Sequence, residues 1–218
     1  MSVHPGVTVV TVFAGNPAAY PVPMRVWDVQ SGFAPDDDIM EARRREDHAA
    51  LALLDATPMH LDFIEHTYNP GDTPVAPEVL ADGLVTALEA LTPTLVLAPF
   101  GLANPDHDVT HRGCMIARDR MASDVSWWAY EDNGYKHIPG MLAWRVSSLF
   151  RRGLWPTPVC PPVDHSGDRK AAAVECYPSQ LLALEDDWRI REKLASPAPE
   201  QFWRLAPPPK GWEGIARD

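Results

Sequence analysis

The sequence lacks several common signatures, and each absence removes a class of function. It has no glycine-rich phosphate loop, because Gly15 and Gly32 stand alone, and this counts against a nucleotide-binding α/β protein. It has no Gly-x-Ser-x-Gly elbow, so no serine is presented in the manner of the α/β-hydrolases. Its three cysteines, Cys114, Cys160 and Cys176, form neither close pairs nor an even set. That argues against a disulfide framework and a zinc knuckle, and for a reducing, cytoplasmic setting. Positive charge is scarce: 19 Lys and Arg face 30 Asp and Glu, for a net charge of -11. Neither nucleic acid nor an anionic membrane suits such a surface. No apolar run reaches membrane-spanning length. Nor does a basic region precede the first apolar stretch, as a signal peptide would require.

What is present alternates between two periods. Val7–Phe13 is β-branched and apolar at nearly every position, a strand buried on both faces. Ala18–Asp38 reads as a long irregular loop. Asp36, Asp37 and Asp38 then offer caps for a helix over Ile39–Leu54. Within that helix Ile39, Ala42, Ala49, Leu53 and Leu54 fall mainly on one face. Met59–Phe63 suggests a short strand, and Asn69–Asp72 a turn. Pro77–Leu91 reads as a helix with proline at its first position. A strand over Thr94–Pro99, a helix over Asp108–Met121 and a strand over Val125–Tyr130 follow. Gly140–Arg152 reads as helical. Pro156–Pro162 is excluded from regular structure by its prolines. Asp168–Leu184 is a helix that Pro178 kinks or interrupts. Ala206–Lys210 opens a proline-rich tail, 206–218, with no packing signal. No repeat or domain boundary interrupts residues 1–218, so a single domain is expected.

Alternation of strand and helix predicts an α/β fold with a mostly parallel sheet. Ligand chemistry then belongs at the carboxyl ends of the strands. Three loops stand there: Ala14–Asp28, Phe100–His107 and Glu131–Ile138. Asp106 and His107 are candidate metal ligands or proton carriers, or a turn with a cap. His111 lies four residues after His107, a spacing that can bind metal if both are helical. Arg43, Glu46 and Asp47 read most simply as a solvated helix face with local ion pairs. Glu131 and Asp132 either bind a polar substrate or cap the next turn. Cys114 sits mid-helix beside Met115 and Ile116, as a core thiol does. The other histidines, His4, His48, His60, His66, His137 and His165, show no ligand spacing.

Taken in order, these pieces resemble the zinc-dependent N-deacetylases of the PIG-L/LmbE-like family. The resemblance covers nearly the whole chain. It is carried by Val9–Gly15, Trp27-Asp28 with Gly32-Phe33, Ala42–Asp47 and Leu61–Phe63. Ala98–Leu102, Asp106-His107 with Thr110-His111, Tyr130–Asp132 with Tyr135, Ile138–Gly140, Tyr177 with Ser179-Gln180, and Glu200–Leu205 complete it. It implies a Rossmann-like sheet with helices on both faces and a zinc site at its carboxyl edge. His107 matches one zinc ligand and Asp106 the acid before it. Asn104 stands where the family has a histidine tied to the oxyanion or to proton transfer. Arg43 matches a substrate-binding arginine; Asp28 and Glu131 are further candidates for substrate hydroxyls. The implied substrate is an N-acetylated sugar or glycoside, and the implied reaction is hydrolysis of its acetamide.

The resemblance starts at the family's second strand. The first strand and its His-x-Asp-Asp turn, which supplies two zinc ligands and a general base, have no counterpart here. A catalytic zinc keeps about three protein ligands, so the sequence as given is expected to be a poor deacetylase, or a non-catalytic binding module on the same scaffold. Val7–Phe13 and Thr94–Pro99 are expected either to pair directly or to leave edges filled by another chain, which makes a homo-oligomer an expectation too.

Overall fold

The computed structural model of the protein describes residues 6–121, 124–160, 167–194 and 200–212. His4 and His165 lie outside these residues. The chain forms two compact units: Met1–Pro74 with Pro162–Pro199, and Val75–Pro161 with Glu200–Asp218.

In the first unit, β1 (Thr8–Thr11) pairs in parallel with β2 (Thr57–His60), with Thr8 opposite Thr57 and Thr11 opposite His60. Between them run α1 (Val26–Gln30) and α2 (Ile39–Leu53). Asp38 caps α2 through its side chain, which accepts from the Glu41 amide at 3.0 Å. The buried positions of α2 are Ile39, Met40, Ala50 and Leu51. They depart from the expected face: Leu53 is half-exposed, at 45%. The helical stripe that joins Ile39–Met40 to Ala50–Leu51 runs through Arg43, Glu46 and Asp47. Three ionisable residues therefore occupy the inward side of this helix.

The helix expected over Asp168–Leu184 is two: α6 (Gly167–Val174) and α7 (Pro178–Trp188), followed by α8 (Ile190–Leu194). Pro178 opens α7 rather than kinking a longer helix, because proline's missing N–H costs nothing at the first position. α6 packs against α2. There Arg169 donates to the Leu53 carbonyl at 2.7 Å and pairs with Asp55 at 2.6 Å. A cation thus closes the carboxyl end of α2.

The second unit holds a four-stranded sheet in the order β3-β4-β6-β5. β3 (Leu95–Pro99) and β4 (Ser126–Tyr130) are parallel; β6 (Phe202–Ala206) runs antiparallel to both β4 and β5 (Trp155–Val159). α3 (Pro77–Leu91), α4 (Pro105–Arg120) and α5 (Met141–Arg151) complete the unit. Its core gathers Leu80, Leu84 and Leu88 of α3, Val109, Met115 and Ala117 of α4, and Trp127 and Ala129 of β4. Gly113 lets α3 and α4 approach closely: a Cβ there would stand 2.5 Å from Leu80.

Two expectations fail in this unit. Pro156 and Pro158 lie inside a strand, β5. Proline is tolerated because β5 is an edge strand, where a residue needs a ladder partner on one side only. The tail is not wholly unpacked either: Ala206 ends β6, and Trp212 meets the Trp155 ring edge-on at 5.8 Å. The sheet pairs in parallel where the helices alternate with strands and turns antiparallel at β6 and β5.

β1 pairs only with β2, and β3 only with β4, among the described residues. Among the described residues each of these two strands keeps one open edge. No helix among the described residues is long and apolar enough to cross a membrane.

Candidate functional site

The parallel strands β3 and β4 end at Pro99 and Tyr130. The Phe100 amide still donates to the Tyr130 carbonyl at 3.0 Å, after which the chain turns through Gly101 into α4. Gly101 has φ +72°, and a Cβ there would lie 2.6 Å from the His107 carbonyl and from His111. Only glycine fits that crossing. Asn104 is the N-cap of α4: its Oδ1 accepts from the Asp106 amide at 2.8 Å and from His107 at 3.4 Å. Helix α4 therefore starts at Pro105, earlier than the sequence suggested, and His107 sits in its first turn.

His107 faces Asp132. Its Nδ1 lies 2.6 Å from Asp132 Oδ1, while Asp132 Oδ2 accepts from the Leu102 amide at 3.2 Å. Asp132 is buried, at 2% exposure, whereas the His107 side chain is 43% exposed. A carboxylate that only accepts requires a proton on Nδ1, so in the neutral ring Nε2 is the nitrogen that carries the lone pair. The Tyr135 ring meets His107 edge-on at 5.4 Å. The sequence offered Glu131 and Asp132 together, with Glu131 taken as the substrate-binding candidate; it is Asp132 that meets His107. Glu131 instead accepts from Trp203 Nε1 at 3.0 Å and has Lys136 at 3.9 Å. Asp106 is buried in the same turn.

His111, one turn on, does not join His107. It is fully buried and its Nδ1 donates to the Pro99 carbonyl at 2.9 Å. Burial, with the Arg145 cation adding to it, pushes its pKa down to about 4. Arg145 spans from the Gly101 carbonyl (2.7 Å) to Asp108 (2.6 Å) and fixes the loop against α5. Burial raises the Cys114 thiol to about 12, which makes it an inert core group.

The first unit carries the other candidates. Arg43 donates to Asp28 at 3.1 Å and to Glu65 at 2.7 Å. Tyr68 donates to the same Asp28 oxygen at 2.8 Å. Asp28 is 2% exposed, and Arg43 Nε is buried without a partner. Asp47 accepts from Tyr177 at 2.8 Å, contacts His60 Nε2 at 2.7 Å, and accepts from Thr11 at 3.2 Å. Glu46 accepts from both the amide (2.9 Å) and the hydroxyl (2.6 Å) of Ser179. The solvated-face reading of Arg43, Glu46 and Asp47 is thus overturned. Each is committed to partners at least 13 residues away in sequence, and the helical stripe noted above explains why. His60 belongs to this network.

His107 is prepared as a metal-binding imidazole would be, with its far nitrogen held by a carboxylate. The rest of a zinc site is not there: among the described residues no group of three His, Cys, Asp or Glu could hold a metal ion. One imidazole fixes neither affinity nor geometry for zinc, so the described residues do not fit that cofactor.

No protein-family model matches the chain, and no curated protein matches it. Solved structures do. The chain is similar to the A40926 pseudoaglycone deacetylase: 26% identity over 92% of this chain and 85% of that one, with a TM-score of 0.73. A triple mutant of a deacetylase of the teicoplanin biosynthetic pathway gives 25% identity over 94% and 88%, TM-score 0.73. A zinc-inhibited teicoplanin deacetylase, at 22% identity over 94% and 89%, shares the fold with a TM-score of 0.73. The fold thus agrees with the PIG-L/LmbE-like resemblance read from the sequence, and the chain has a deacetylase-like scaffold.

Proposed function

We propose that this chain is a hydrolase of the N-deacetylase type, acting on the acetamido group of a small N-acetylated sugar or glycoside. The observation that carries the reading is the His107–Asp132 pair, set at the ends of two parallel strands on a deacetylase-like scaffold. Hydrolysis joins a water oxygen to the acetamide carbonyl carbon. The C–N bond then breaks, acetate leaves, and the amine nitrogen takes the proton. With Nδ1–H held on Asp132, Nε2 is the atom that receives the water's proton and returns it to the amine. Asn104 spends Oδ1 on the helix cap and keeps its amide N–H to donate to an oxyanion. Asp106, in the same first turn of α4, is proposed as a further acidic group of the site. Asp28, Arg43 and Glu131 are proposed as binders of sugar hydroxyls. Zinc enters this reading only with ligands beyond the described residues, and no step is derived through it. The free thiols of Cys114, Cys160 and Cys176 support a cytoplasmic location.

A second reading is a binding module without catalysis, in keeping with His107 having no second and third metal ligand beside it among the described residues. One experiment separates the two. The whole chain is incubated with N-acetylglucosamine glycosides, with and without added zinc, and acetate and free amine are followed by mass spectrometry. Release that disappears in His107→Ala supports the hydrolase. Binding without release, zinc present, supports the module.

A further inference from the structure

Two stretches of the second unit grip each other twice at the site. Asp132 accepts from the Leu102 amide and holds His107 Nδ1. Arg145 Nη2 donates to the Gly101 carbonyl at 2.7 Å and to Asp108 Oδ1 at 2.6 Å. The partners are neighbours in sequence, Gly101 beside Leu102 and His107 beside Asp108. One acceptor bridge and one donor bridge therefore tie the same loop to the same first turn of α4. Both bridging side chains come from one continuous stretch. From Asp132 its backbone is linked by short turns: the Lys136 amide donates to the Asp132 carbonyl at 3.1 Å, Ile138 to Tyr135 at 3.0 Å and Met141 to Ile138 at 3.2 Å. The chain then enters α5, which carries Arg145.

The two bridges sit in different surroundings. The Arg145 side chain is 4% exposed, and the Trp144 ring covers it with its centroid 4.8 Å from Cζ. Its charge-assisted bonds are thus made away from water, where such bonds are strong. The His107 ring is open to solvent on one side. A ring so placed keeps its carboxylate partner only while the backbone beneath it holds one spacing. Arg145 fixes that spacing without using any group of the His107–Asp132 pair. We propose that Arg145 is a positioning residue: by holding the Gly101–Leu102 loop against α4 it sets the His107–Asp132 contact, and with it the ring nitrogen that carries the proton. It touches neither substrate nor reacting atoms. Its consequence for catalysis rests on the hydrolase reading above; its hold on the tautomer does not.

Two-bond ¹H–¹⁵N spectra of the full chain, taken at mildly alkaline pH where imidazoles are neutral, read the tautomer directly. His107→Gln assigns the signal. Arg145→Met puts an unbranched apolar side chain in place of the cation, a kind of change that buried ion pairs often tolerate; cooperative thermal unfolding verifies the fold. In this variant His107 should pass from the Nδ1–H tautomer to a mixture. kcat for acetate release should fall on the order of a hundredfold with KM little changed, as misplacement of a catalytic group does. If Arg145→Met does not fold, Asp108→Ala, at a half-exposed position, breaks the same bridge from its other end. In whichever variant folds, an unchanged His107 tautomer overturns the proposal, even where stability falls. The two readings fail separately. A tautomer shift in a chain that releases no acetate removes the hydrolase and keeps the role of Arg145; acetate release with the tautomer unchanged does the reverse.

Discussion

Two aspartates, one in each unit, are buried to the same 2% exposure and are held in opposite ways. Asp28 meets a permanent cation, Arg43, and a phenol, Tyr68. Asp132 meets an imidazole and a backbone amide. In the first arrangement charge cancels charge, and removing either partner strands the other in a poorly hydrated place. In the second, the carboxylate's main effect is on which ring nitrogen of His107 carries the proton. Burial alone therefore does not tell a structural acid from one that prepares a neighbour; the partner does.

The largest test of that contrast is Asp28→Ala. Breaking a buried pair costs about 3–5 kcal/mol, and Glu65 still holds Arg43, so a loss near the lower figure is expected from urea unfolding. A loss below about 1 kcal/mol would mean that Asp28 is not a structural anchor. His111 supplies the next test, as an imidazole given a carbonyl instead of a carboxylate. It is held neutral in the fold down to about pH 4, while the unfolded chain's histidine charges below about 6.5. Its contribution is thus complete above about 6.5 and is lost as the pH falls toward 4, about 3 kcal/mol in all. Arg145 and Arg152 oppose protonation and Asp108 favours it. His111→Asn should flatten the stability profile over that window; an unchanged slope would assign the loss to other groups.

Asp132→Asn should cost less, about 1–2 kcal/mol for one charge-assisted hydrogen bond. Its sharper effect is on His107: ¹⁵N chemical shifts should move from the Nδ1–H tautomer toward a mixture. An unaltered tautomer would show that Asp132 does not set it. Smallest is Asn104→Ala, which removes the cap of α4 at about 1 kcal/mol; Asn104→Asp should restore most of that. Equal stability of all three forms would contradict the capping role.

Much of the frame was legible from local signals. Pro77 at the first turn, the Asp38 cap and the apolar run ending at Pro99 all depend on nearest neighbours along the chain. β5 and β6 were not, because a proline's cost depends on which side of a strand lacks a partner, and that is fixed only by the sheet order. The candidate site divides in the same way. His107 was visible as a histidine in the turn after a strand. Both acids after β4 were visible too, but not which of them is its partner, since the chain leaves β4 after Tyr130 and strand alternation no longer decides which of Glu131 and Asp132 turns inward. Arg43, Glu46 and Asp47 carried a readable signal: they continue the stripe of Ile39, Met40, Ala50 and Leu51. Charged residues on the inward stripe of a helix announce distant partners, though not which ones.

The prolines of β5 have a consequence for how copies of this chain can meet. Lacking N–H groups, Pro156 and Pro158 cannot donate to β6, so the ladder runs through Trp155, Thr157 and Val159, and the proline nitrogens face the outer side. That margin of the sheet is sealed against a further strand. The margin at β3 carries ordinary amides and no described partner. Within this four-stranded sheet growth by strand addition is therefore one-sided: two copies joined symmetrically through β3 would leave the joined sheet only its proline-blocked margins at β5.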